Sequence, residues 1–274
     1  MIAYLSSFAV ENGLLLETIN SAELSPQTDE TRVVILLAGP PGVAEFVSSS
    51  PATQFIVIGN VNPVSLPNLS VISPRGEDLA FMSGYLTQMI AWDWRSAGLI
   101  PNDVVMTAEK TNAFINGARY MCGVCTPFFA PVVSFPMLAQ ESMQADAATW
   151  GAQVAVLGQH FVNTYYVDPA AASVETLDGL MALEDAIFND VHLIGLSGTP
   201  NHERFTALLG YDTLSALQQL LPQVVAGNGG LSVSAQVKIL TNTAETVITP
   251  GKIDNFNRVA ADLAAGIIIP LSMP

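Results

Sequence analysis

Short apolar runs recur along the chain, each followed by a polar or Gly/Pro turn and then by a helical pattern. The runs at 31–37, 54–58, 69–72, 164–167 and 192–196 are mainly apolar rather than strictly alternating. That pattern predicts strands of a parallel sheet covered on both faces. Between them, helices are predicted at 2–12 (closed by Asn12-Gly13), 43–49, from Gly76 onward, 109–122, 144–161, near 173–186, 211–226 and 252–265. Further strands are expected at 14–19, 103–106, 131–134, 237–240, 245–248 and 267–269. Two segments are alike: Gly76–Leu86 and Asn112–Tyr120 each carry a phenylalanine and then a glycine on one helix face, which is expected to let each helix approach a sheet closely. Gly98–Asn102 lies between them and reads as a hinge. The expected fold is therefore α/β with two lobes, each a parallel sheet flanked by helices. Lobe one is expected to cover 1–102 with 205–231 returning to it, and lobe two 103–204 completed by 232–274.

Composition narrows the function. The 274 residues are 50% hydrophobic and 12% charged, enough for sizeable cores. Nine Lys and Arg face 24 acids, a net charge of −15, which repels phosphate backbones and excludes nucleic acid as an expected partner. His160, His192 and His202 are dispersed without the spacing of a metal cluster, so neither metal nor other cofactor is expected. No apolar run is long enough to span a bilayer, and Met1–Val10 lacks the cationic start and cleavage site of a signal peptide. Ala38–Gly42 lacks the Lys-Ser/Thr of a phosphate loop, and no Gly-x-Ser-x-Gly elbow marks a hydrolase.

In open parallel sheets ligands bind at the carboxyl ends of strands, which selects the candidate residues. From lobe one these are Asn60, Asn62, Arg75 and Glu77, with Asp78 beside them. Arg75 could clamp a carboxylate or phosphate, or pair with Glu77 or Asp78; the two acids also suit helix capping. From lobe two they are Thr107, Glu109, Phe135, Asp168, Ser173, Ser197 and Asn242, with Lys110 next to Glu109. Phe135 could stack on a ligand ring or pack in the core, and Asp168 before Pro169 also suits a turn or a cap. Cys122 and Cys125 stand at a predicted helix end, where the dipole raises a thiolate pKa, so a structural disulfide is favoured over redox chemistry.

The segments Asp78–Leu86, Asn112–Tyr120, Leu193–Leu196, Pro250–Ile253 and Asp262–Pro270 together resemble the type I periplasmic binding proteins. Within them the match is to the basic-membrane-protein branch of ABC-transporter substrate-binding lipoproteins, which includes purine nucleoside receptors. The resemblance implies a non-enzymatic protein, outside the cytoplasm and lipid-anchored as a precursor, that closes on a small polar solute and presents it to a membrane permease. It also implies that Cys122 and Cys125 are oxidised. Members of that branch begin with a strand that this sequence does not show, which implies an unpaired sheet position and self-association through that edge. Nucleoside-binding relatives carry an aspartate where Ser197-Gly198 stand here, which points away from a nucleoside. The alternatives kept beside this reading are a redox protein using the cysteine pair and a structural module.

Overall fold

The computed structural model describes residues 1–19, 31–39, 41–59, 66–103, 107–187 and 189–272. They form two compact units. Unit one holds 1–74 and 212–235, and unit two holds 75–211 and 236–274, so the chain crosses between them three times. The first crossing falls at Pro74/Arg75 rather than near 102.

Unit one carries helix α1 (Ile2–Glu11), β1 (Val33–Leu36), α2 (Val43–Ser48), β2 (Gln54–Ile58), β3 (Leu69–Ser73), α8 (Thr213–Val225) and β9 (Ser232–Ser234). Its sheet runs β1-β2-β3-β9, all parallel. The core gathers Leu36, Val43, Val47, Phe55, Val57 and Leu69. β1 pairs directly with β2 from Val33↔Gln54 to Leu36↔Val57. Residues 14–19 form no strand, although they were expected to, and Leu15 is exposed.

Unit two contains α3 (Gly76–Ile90), β4 (Ser96–Pro101), α4 (Thr107–Cys122), β5 (Met137–Glu141), α5 (Ala147–Gly158) and β6 (Thr164–Val167). It continues with α6 (Val174–Met181), α7 (Leu183–Ile187), β7 (His192–Leu196), β8 (Ala207–Tyr211), β10 (Val237–Asn242) and α9 (Pro250–Ala264). The strand order is β10-β8-β7-β6-β4-β5, with only the β10–β8 pair antiparallel among them. Alternate residues point to opposite faces, as strand geometry requires. Ile100, Tyr166, Ile194 and Leu209 join the core under α3, α4 and α9, while Leu99, Tyr165, Val167, Leu193 and Leu208 join the core under α5 and α6.

The contact between α3 and α4 is closer than ordinary helix packing allows. A Cβ added at Gly84 would lie 1.9 Å from the Phe114 carbonyl oxygen, and one at Gly117 would lie 1.8 Å from that of Phe81. The two similar helical segments thus hold each other reciprocally, glycine against the partner's phenylalanine backbone. From Phe81 to Ile90 every residue of α3 is buried.

Several expected elements fall elsewhere, each for a visible reason. Gly98 is no hinge: it belongs to β4, buried along its whole length, and a Cβ there would lie 3.0 Å from the Phe114 ring. Of the strand expected at 103–106, all but Asp103 lies outside the described residues, and Asp103 is in a bend. Residues 131–134 are loop, held by the Arg95 guanidinium on the Pro131 carbonyl, and the strand begins at Met137. Tyr211 ends β8 instead of starting a helix. Residues 245–248 coil into a turn because the Asn242 amide bonds both ends of it, donating to the Ile248 carbonyl (3.0 Å) and accepting from the Ala244 N–H (3.1 Å). Residues 267–269 follow the helix as bends and irregular chain rather than strand.

Gly84→Ala should cost about 3 kcal/mol or more, because the blocking atom is backbone and cannot rotate away. Gly151→Ala, in α5 with nothing within 4 Å of the added carbon, should stabilise by about 0.5–1 kcal/mol. Urea denaturation of both proteins checks this, and equal effects of the two substitutions would contradict the close-contact account.

Candidate functional site

At the carboxyl edge of unit two's sheet, the first turns of α3 and α4 meet the ends of β6 and β8. Arg75 precedes α3 in an extended conformation, and its side chain turns onto the helix start. Its Nε lies 3.1 Å from Glu77 Oε1 and a terminal nitrogen 3.6 Å from Asp78 Oδ1. The Tyr211 hydroxyl donates to the Arg75 carbonyl at 2.8 Å. Arg75 and Tyr211 are also where the chain enters and first leaves unit two, so this bond ties two of the crossings together.

Lys110 reaches the same place from α4, its Cε 3.8 Å from where a Gly76 side chain would begin. Its charge acts on Asp168, which follows β6, and Asp168 in turn acts on the buried Tyr166 phenol. Two cations, three carboxylates and two phenols therefore converge on one rim. Asp78 is the least ordinary of them. It is 2% exposed, its Oδ1 has no hydrogen-bond donor, and burial pushes its pKa up to about 6, opposed by Arg75 and reinforced by Glu77. Burial likewise raises Asp168, against the pull of the Ala170 N–H and Lys110, and raises Tyr211, with the charges of Asp78 and Glu77 adding to it. Alongside, Asn102, Ala108, Thr111, Asn112 and Gln140 line a shallow cavity of about 380 Å³ whose polar groups are amides and a hydroxyl.

Of the residues expected from sequence, Arg75, Glu77 and Asp168 come together here. Thr107 and the exposed Glu109 are in the adjoining first turn of α4. Ser197 is exposed at the end of β7 on the same edge. Ser173 caps α6, accepting from Thr176 N at 3.1 Å, and Asp168 accepts from Ala170 N at 3.0 Å. Asn60 and Asn62 lie outside the described residues. Phe135 and Asn242 are elsewhere. Phe135 precedes β5 at the amino edge, buried in the core with Arg95 5.8 Å over its ring, and Asn242 sits opposite the first residue of β8. Neither Glu77 nor Asp78 caps α3 by a side-chain hydrogen bond. Tyr166 and Tyr211 were not candidates in the sequence. Their signal was position: each lies at the last turn of a strand, next to a rim loop.

Cys122 and Cys125 are paired, with Cα atoms 5.1 Å apart, at the end of α4. Cys125 is 2% exposed, a poor setting for an exchanging thiol. No helix among the described residues is long and apolar enough to cross a membrane.

A structural comparison decides the architecture. An ABC transporter system solute-binding protein from Conexibacter woesei superposes with a TM-score of 0.62, at 14% identity, over 100% of this chain and 92% of that one. The fold is that of the type I periplasmic binding proteins. A second structure of this type, a transcriptional activator of the comK gene from Bacillus halodurans, matches with a TM-score of 0.52 at 11% identity, over 98% of this chain and 85% of that one. No protein-family model matches the chain, and no curated protein matches its sequence. At these identities the type I likeness concerns architecture: α/β with two parallel sheets flanked by helices.

The raised Asp78 pKa has a stability consequence. A carboxyl whose folded pKa exceeds its unfolded value of about 3.9 favours folding in its protonated form. That contribution is complete below the unfolded value and is lost as pH rises through about 6. Asp78→Asn should therefore gain stability relative to the parent as pH rises from 4 to 7. Parallel melting curves for the two proteins across that range would refute the assignment.

Proposed function

We propose that the chain is an extracytoplasmic solute-binding protein that holds a small polar molecule at the Arg75–Asp78–Lys110–Asp168–Tyr211 rim of unit two. The observation that carries this reading is the convergence itself. Oppositely charged side chains and a carboxylate oxygen lacking a donor gather where the chain enters and leaves the unit, at the strand ends where parallel sheets bind ligands. The named arrangement offers charge-assisted donors from Arg75 and Lys110 and acceptors from Glu77, Asp78 and Asp168, a set suited to a ligand with both kinds of group.

In this reading unit one closes over the bound solute, and a membrane permease reads the closed state. No covalent step is required of the protein. The Cys122–Cys125 pair fits an oxidising compartment, and its placement at a helix end with one partner buried favours a structural bond over a redox function. The precursor is lipid-anchored in this proposal, and the outer side of β1 is the margin along which a second chain would pair.

A thermal-shift screen of sugars, polyols, nucleosides and amino acids tests the proposal. At a hundredfold excess over Kd, a true ligand stabilises by about 2.7 kcal/mol, a rise of several degrees in Tm for a domain of this size. Arg75→Ala and Asp168→Asn should each weaken binding of that ligand at least tenfold, and small-angle scattering should show compaction on binding. A screen without a single shift would contradict the reading.

A further inference from the structure

The opposite, amino edge of unit two's sheet is built differently. Arg95, 1% exposed, forms an ion pair with Asp93 at 3.1 Å and donates to the carbonyl of His160 at 2.7 Å and to that of Phe129. The Asp93 carboxylate also accepts the backbone N–H groups of Phe128 (2.6 Å) and Phe129 (3.3 Å). Asp93 and Trp94 both hold left-handed backbone, φ 53° and 64°, a conformation that costs a non-glycine residue about 1 kcal/mol or more. This frame presents aromatic rings to solvent. Trp92 is 56% exposed, Phe128 84% and Phe129 60%, and the Trp92 and Phe129 rings stack at 5.7 Å.

The surface is concave. Ala91, Trp92, Asp93, Trp94, Phe128 and Phe129 line a depression of about 280 Å³, the size of one or two large side chains. From Tyr120 to Gln140 the chain carries no charged residue, with Arg119 and Glu141 bounding the run. The charge lies further along the same edge. Asn163 bonds both backbone groups of Trp92 and accepts the His192 N–H, linking the aromatic loop to the start of β7. There Asp190, Glu203 and Glu245 are exposed. Among the cations there, Arg204 is paired with Asp178, while Lys252 donates to the Val247 carbonyl and keeps its charge. His192 is held below its usual pKa by burial, so it adds no charge at neutral pH.

We infer that this edge is a docking surface for a segment of another protein, one that seats a bulky apolar side chain in the depression lined by Trp92, Trp94, Phe128 and Phe129 and carries basic residues over Asp190 and Glu203. The concavity takes a single side chain rather than a flat lipid surface, and the acidic flank selects a basic partner. Strand spacing sets the scale. Asp190 precedes the second strand from β4 and Glu203 the third, and those strands lie about 10 and 14 Å from β4, a span of three to four residues of extended chain. The surface is independent of the carboxyl-edge rim.

The test uses the full chain and a nine-residue peptide with a central leucine and lysines three and four positions further on, followed by tryptophan emission. Saturable binding is expected, weakened at least tenfold by Leu→Ala in the peptide or by Phe128→Ser in the protein. Lys→Glu in the peptide or Asp190→Lys in the protein should cost about fivefold. Phe128 is exposed, so its substitution leaves folding intact, and circular dichroism verifies this. Absence of peptide binding, indifference to Phe128→Ser, or an equal emission change with phosphatidylcholine vesicles would overturn the inference, the last by making a lipid surface the occupant.

Discussion

Helices α3 and α4 touch through bare backbone at Gly84 and Gly117, and the arrangement of unit two depends on that approach. It places the two helix starts side by side at the carboxyl edge of the sheet, so that Arg75, Glu77 and Asp78 from one helix and Lys110 from the other reach common ground. It also allows the Phe114 ring to enter the space that Gly98 leaves open on β4, next to Tyr166. A side chain at either helical glycine would separate the helices and disperse the rim. The packing requirement and the candidate chemistry are therefore one constraint seen at two ends of the same helices.

The two edges of the sheet in unit two carry buried charge for different ends. At the amino edge Asp93 and Arg95 satisfy each other and nearly every remaining donor finds a loop carbonyl, a closed network that fixes aromatic rings in place. At the carboxyl edge Asp78 keeps an oxygen without a donor while Arg75 is shared between two acids. A satisfied buried pair holds structure; an unsatisfied carboxylate beside a half-buried arginine is poised to exchange partners. That contrast is why the ligand site is assigned to one edge and the docking surface to the other.

Much of this architecture was legible in the chain. Mainly apolar runs at 54–58, 164–167 and 192–196 became β2, β6 and β7, because strands buried on both faces leave that trace. The paired Phe-and-glycine segments predict each helix close to a sheet, whereas their glycines meet the backbone of the other helix, because which element faces a small residue is a tertiary property. Glycine misled at Gly98, since the same residue type serves a hinge and a tight ring contact, and only the position of Phe114 distinguishes them. Arg75, Glu77 and Asp168, chosen by the rule that ligands meet strand ends, do lie together at the carboxyl edge of the sheet. Tyr211 was hidden because its strand abuts the next helix with only Asp212 between. Phe135 and Asn242 were placed at the wrong edge because their strands were: β5 begins after Phe135, and β10 runs antiparallel to its neighbour. Strand direction is a long-range property that local pattern does not carry.

The central claim is that one rim in unit two receives a solute. Hydrogen exchange followed by mass spectrometry, with and without a millimolar mixture of sugars, nucleosides and amino acids, tests it most directly. The account predicts slower exchange confined in unit two to peptides covering 75–79, 107–112 and 168–173, with the amino-edge loops at 92–95 and 128–135 unchanged. Protection of those loops alone, or no change at the rim, would contradict it.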